Sequence, residues 1–122
     1  MQNDIKLREG TLRHIQEYIT HKIDQRGFAD ETVHERLLLL TEEVGELVNA
    51  CRKVTGMNVD QNREINNKIG EEITDVINMV FAVGIKLGID IEREFLAKEA
   101  IVDKRIYKRS ENSMKSNERN KN

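Results

Sequence analysis

Apolar residues recur along this chain at steps of three and four, the spacing that places them on one face of an α-helix. Leu12, Ile15, Ile19 and Ile23 mark a first helix from about Lys6 to Arg26, closed by Gly27. Thr32 and Glu35 form a Thr-x-x-Glu helix-start pattern. A second helix is expected from there through HERLLLLTEEVGELVNACRKV to Thr55, with Gly56 in the left-handed position that ends it. After a polar connection, MNVDQN, a third helix is expected over roughly Arg63 to Leu87, carrying Ile65, Ile69, Ile73, Val76, Val80, Val83 and Leu87 and closed by Gly88. Asp90 is a suitable N-cap for a fourth, running to about Lys108 with Ile91, Phe95, Ile101 and Ile106 as its apolar members. Short connections favour antiparallel neighbours, so the predicted fold is all-α: an antiparallel bundle of about four helices.

Composition narrows this reading. The chain has 122 residues, which favours one domain, here residues 1–109. Residues 110–122, SENSMKSNERNKN, have almost no apolar content and are expected to be a disordered polar tail. The absence of proline and tryptophan fits long uninterrupted helices better than a turn-rich β architecture. A net charge of −2 argues against a general attraction to nucleic acid or anionic membrane. No stretch is apolar enough for a membrane span or a leader peptide, so a cytoplasmic location is expected. The lone Cys51 has no disulfide or metal-motif partner in the sequence and reads as a buried, inert thiol.

Candidate chemistry lies in the acids of helices two and three. At 100° per residue, with Leu39 at zero, Ala50 falls near about 20°, Leu47 near about 80° and Glu43 near about 40°. Glu43 is thus inside the apolar stripe, Glu46 at its edge, and Glu42 turned furthest from it. On helix three, Glu72 lies among Ile65, Val76, Met79 and Val83, with Asp75 at the border. Each helix therefore presents an i, i+3 acid pair on the face that should meet its partner. A buried unpaired carboxylate costs several kcal/mol, and converging like charges add to that cost. With no cation in either stripe at those levels, a bound metal ion is the economical compensation. Oxygen-only ligation selects a hard ion, Mg²⁺ first, with Mn²⁺ and Ca²⁺ next.

Glu42-Glu43-Val44-Gly45-Glu46 followed by Glu72-Ile73-Thr74-Asp75 resembles the EExxE…ExxD signature of the MazG-like all-α nucleoside triphosphate pyrophosphohydrolases. The surrounding LLLLTEEVGELVNACRK, GEEITDVINMV and LGIDIE agree, and the similarity spans roughly Gly27 to Glu99. The resemblance implies Mg²⁺-dependent cleavage between the α and β phosphates of a nucleoside triphosphate, giving a monophosphate and pyrophosphate. It implies Glu43, Glu46, Glu72 and Asp75 as metal ligands. Glu42 would orient the attacking water or act as base, so Glu42 and Glu43 are the candidate catalytic acids. It also implies a homo-oligomer, a dimer or a pair of dimers, which suits the broad apolar faces of the helices.

The fourth helix departs from the family pattern. Many relatives carry a Lys-Asn-x-x-Arg-like stretch and a proline, whereas this chain reads AKEAIVDKRIYKR, with Asp103 at the asparagine position. Lys98, Lys104 and Arg105 are candidate phosphate contacts, although a basic helix C-terminus also complements the helix dipole. Asn78, one turn beyond Asp75, is a candidate contact to base or ribose. Phosphoribosyl-ATP pyrophosphohydrolases and dimeric dUTPases use similar carboxylate bundles and are the nearest enzymatic alternatives. A non-catalytic metal-binding helical interaction module is the alternative of another class. Glu31 and His34 have the ExxH spacing of di-iron bundles, but a second such pair is absent from the sequence. His14 and His21 are expected to face solvent.

Overall fold

The computed structural model describes residues 5–55 and 63–119, with side chains described over 5–55 and 68–105. It contains four α-helices: α1 (Thr11–Gln25), α2 (Val33–Thr55), α3 (Arg63–Lys86) and α4 (Ile91–Arg119). No strand occurs among the described residues. The Gly56 stop and the 57–62 connection lie outside the described residues, as do the side chains of Ile65 and Ile106.

Two helix boundaries differ from those the periodicity predicts. The first helix begins at Thr11, not near Lys6, because Gly10 takes a left-handed conformation (φ 85°) that the regular helix cannot include. The last helix continues to Arg119, through the segment expected to be a disordered tail. That segment holds neither glycine nor proline, so nothing in the local sequence interrupts the backbone pattern begun upstream.

The other ends follow their local chemistry. At Gly27 (φ 81°) the amide of Phe28 donates to Ile23 O at 2.9 Å and that of Gly27 to Asp24 O at 3.2 Å, a Schellman termination. Gly88 repeats it: Ile89 N–H donates to Gly84 O at 2.9 Å and Gly88 N–H to Ile85 O at 3.1 Å. The start of α2 is capped by Thr32, whose hydroxyl accepts from the Glu35 amide at 3.1 Å. The Asp90 carboxylate accepts from the Arg93 amide at the start of α4 (3.2 Å).

The closest packing is between α2 and α3, while α1 lies against α3 and α4. The order of the cross-contacts makes α2 and α3 antiparallel. Arg36, early in α2, meets Ala82, late in α3, whereas Glu43 and Glu46 further along α2 meet Glu72 earlier in α3. Arg36 is only 2% exposed. Its guanidinium donates to Ala82 O (2.6 Å) and Phe28 O (3.2 Å) and lies 3.7 Å from the Glu31 carboxylate. One side chain therefore fastens α2 to α3 and to the α1–α2 turn. A second fastening joins the starts of α1 and α4: buried Glu92 accepts from the Leu12 amide (3.2 Å) and pairs with Arg13 (3.3 Å).

The core is thin. Among the described residues, Ile19, Ala50, Phe81 and Ala82 are its buried apolar members. Several apolar residues counted with the helical stripes are uncovered, Ile73, Val80 and Leu87 on α3 and Phe95 and Ile101 on α4, and so are Leu37, Val44 and Val48 on the far side of α2. Their spacing is helical, but nothing among the described residues covers these faces. Cys51, expected to be buried, is half-buried for the same reason.

Replacing Arg36 with Met leaves the Ala82 and Phe28 carbonyls and the Glu31 carboxylate without their shared donor. The expected loss is about 3 kcal/mol of unfolding free energy, measured by urea denaturation. A loss below about 0.5 kcal/mol would contradict the fastening role.

Candidate functional site

Helical spacing puts Glu43 and Glu46 one turn apart on α2, and Glu72 and Asp75 one turn apart on α3. Antiparallel packing then brings the pairs face to face. Carboxylate oxygens of Glu43, Glu46 and Glu72 lie within 4.8 Å of one another. Glu72 is 7% exposed, Glu43 half-buried and Glu46 exposed. Asp75 is exposed and outside that tight group, yet close enough for its charge to act on both Glu43 and Glu72. Glu42 faces solvent and is not part of the group.

The electrostatics follow from this geometry. Burial pushes the Glu43 carboxyl above the ordinary glutamate range, and the charges of Glu46, Asp75 and Glu72 push it further. Burial likewise raises Glu72, followed by the charge of Glu46, which is also placed to share a proton with it, and by Asp75. Lys68, one turn back on α3, opposes this weakly as the smallest contribution. Glu43 Oε2 and Glu72 Oε2 are buried without a hydrogen-bond partner among the described residues. Unpartnered buried carboxylate oxygens are costly, and three converging oxygen donors with no histidine or cysteine suit a hard divalent cation.

A cation does lie in the α2 stripe, but away from the level of the acids, where none was expected. Arg36 falls near about 60° on the same wheel, between Glu43 and Leu47. It lies about two turns before Glu43, and its charge is directed to Glu31 and two carbonyls, not to the acid group. The wheel angle was the signal that identifies it. The buried Glu92 carried no such sign, since its partners come from α1, far away in sequence.

Beside the acids runs a groove of about 850 Å³ between α1, the start of α2 and α3, within the range of small-molecule sites. Glu43, Asp75 and Asn78 line one part of it, with an apolar floor that includes Ile19, Leu39 and Ala82. Asn78 is half-buried and its amide donates to Thr74 O at 3.1 Å. Lys98, Lys104 and Arg105 are exposed on α4 and do not line this groove. Glu31 pairs with Arg36, and His14, His21 and His34 are exposed. No family model matches the chain, and no curated protein matches it.

Because both carboxyl shifts are upward, the folded state holds these protons to higher pH than the unfolded chain does. The contribution of these two groups to metal-free stability is therefore most favourable in acid and is lost as pH rises through the raised pKa values. Glu72→Gln is expected to raise metal-free stability near neutral pH and to change little near about pH 4, where the acid is protonated anyway. Denaturation curves across this range check it; a variant equally destabilised at both ends would contradict the repulsion.

Proposed function

We propose that the protein is a Mg²⁺-dependent nucleoside triphosphate pyrophosphohydrolase, cleaving between the α and β phosphates to release pyrophosphate. The observation that carries this reading is the convergence of Glu43, Glu46 and Glu72 from two helices, with two buried oxygens unpartnered, at the side of a ligand-sized groove. It agrees with the MazG-like motif pair in the sequence.

Glu43, Glu46, Glu72 and Asp75 are the residues that would hold the ion. When bound, Mg²⁺ neutralises phosphate charge and lowers the pKa of coordinated water. Glu42, next to Glu43 in sequence and turned to solvent, would be the group that orients the attacking water or takes its proton in this reading. The rigid α2–α3 seam fixes the acids before substrate arrives, so reorganisation during reaction is small. Asn78 offers a polar contact in the groove to sugar or base.

A homodimer or tetramer belongs to this reading. Val44 and Val48 on α2, with Ile73 and Val80 on α3, leave apolar stripes uncovered at helical spacing. A second copy is the partner whose matching stripes would cover them.

The wild-type protein is expected to release pyrophosphate from at least one member of a panel of canonical, deoxy and modified triphosphates, only with Mg²⁺ or Mn²⁺. Glu72→Gln should lower the rate by more than about 100-fold with the fold kept. No release from any nucleotide, or full activity in the variant, would leave the acids as part of a non-catalytic module. Sedimentation should find a dimer or larger species, and Val48→Glu with Val80→Glu should shift it toward monomer; a wild-type monomer contradicts the assembly.

A further inference from the structure

The groove has a second polar feature that the acid motifs do not account for. Lys22 and Arg26, one turn apart at the end of α1, line it together with Tyr18, while Glu43 and Asp75 line it from α2 and α3. Lys22 is half-buried, its ammonium 5.6 Å from the centre of the Tyr18 ring and 3.1 Å from Gln25 Oε1, a neutral acceptor. Among the described residues neither Lys22 nor Arg26 has a carboxylate within ion-pairing distance, although Glu31, Glu43 and Asp75 all border the same space. Two cations near the C-terminus of α1 complement its dipole. That effect explains their place in sequence, but not why both border the space shared with the acids.

We infer that Lys22 and Arg26 are the anion-contacting wall of this groove, taking the phosphate chain of the nucleotide in place of the basic residues of α4. The inference rests on the triphosphate reading above. Charge makes it necessary: a triphosphate brings several negative charges to a site already holding four carboxylates, and a divalent ion alone leaves an excess. A guanidinium and an ammonium on the α1 wall reduce that excess, with Arg26 able to take two phosphate oxygens at once. The ligand then spans the groove, its phosphates between the acid-held ion and α1, and its flat base over the apolar floor.

Titration calorimetry with inorganic tripolyphosphate and Mg²⁺ tests this without relying on turnover. The wild-type protein should bind the probe, and K22Q/R26Q should bind it at least about 10-fold more weakly, with Mg²⁺ binding in the absence of the anion unchanged. The same double variant should raise KM for an active nucleotide more than it lowers kcat. Tripolyphosphate that fails to bind wild type overturns the inference. So does equal binding by K22Q/R26Q, or a loss found only in K98Q/K104Q/R105Q. Binding that depends on Lys22 and Arg26 in a protein releasing no pyrophosphate upholds the inference and removes the hydrolase reading, so the two failures are distinct.

Discussion

The structure turns on a repulsion that packing imposes: acids from α2 and α3 are held together along the seam where the two helices meet. Left alone, these carboxylates would separate or stay protonated, since burial and mutual charge both disfavour ionisation. They are kept in place by contacts elsewhere on the same helices. Arg36, about two turns from Glu43, joins α2 to the α3 backbone at Ala82 and to the α1–α2 turn at Phe28. The stabilising end and the strained end of the seam are thus separate, and each constrains the other through two rigid helices.

The remaining elements arrange themselves around this seam. The first helix supplies one wall of the groove and is anchored to the start of α4 through Glu92, Arg13 and the Leu12 amide. Gln16 adds a further tie, donating to Ile89 O (2.9 Å) and accepting from the Ile91 amide (3.1 Å). These polar ties compensate for a sparse apolar core. The uncovered stripes on α2 and α3 show where hydrophobic burial is incomplete within one copy, and a small helical domain of this kind gains most from covering such surface.

Much of the architecture was legible in the sequence because helices announce themselves locally. The 3.6-residue periodicity, Thr32 and Asp90 at helix starts, and Gly27 and Gly88 at helix ends are all short-range signals, and the structure uses each. The acid grouping was legible for the same reason: Glu43 and Glu72 sit at apolar positions of their wheels, so packing the wheels brings the acids together. Long-range features were not legible. Periodicity separates an apolar face from a polar one but does not say what covers it, so Leu87, Phe95 and Ile101 read as core and are exposed. Arg36 occupied a core angle yet its carbonyl partners, set by the antiparallel register, could not be read. Likewise, the cations bordering the groove come from α1 and not from the basic stretch of α4, a matter of which helices meet.

The most direct test of the account is a pH titration of the Glu43 and Glu72 side-chain carboxyl carbons by NMR, with and without Mg²⁺. Without metal, both should keep their protons above the ordinary glutamate range, and Mg²⁺ should drive both transitions markedly downward. Ordinary transitions that stay where they are when Mg²⁺ is added would contradict it.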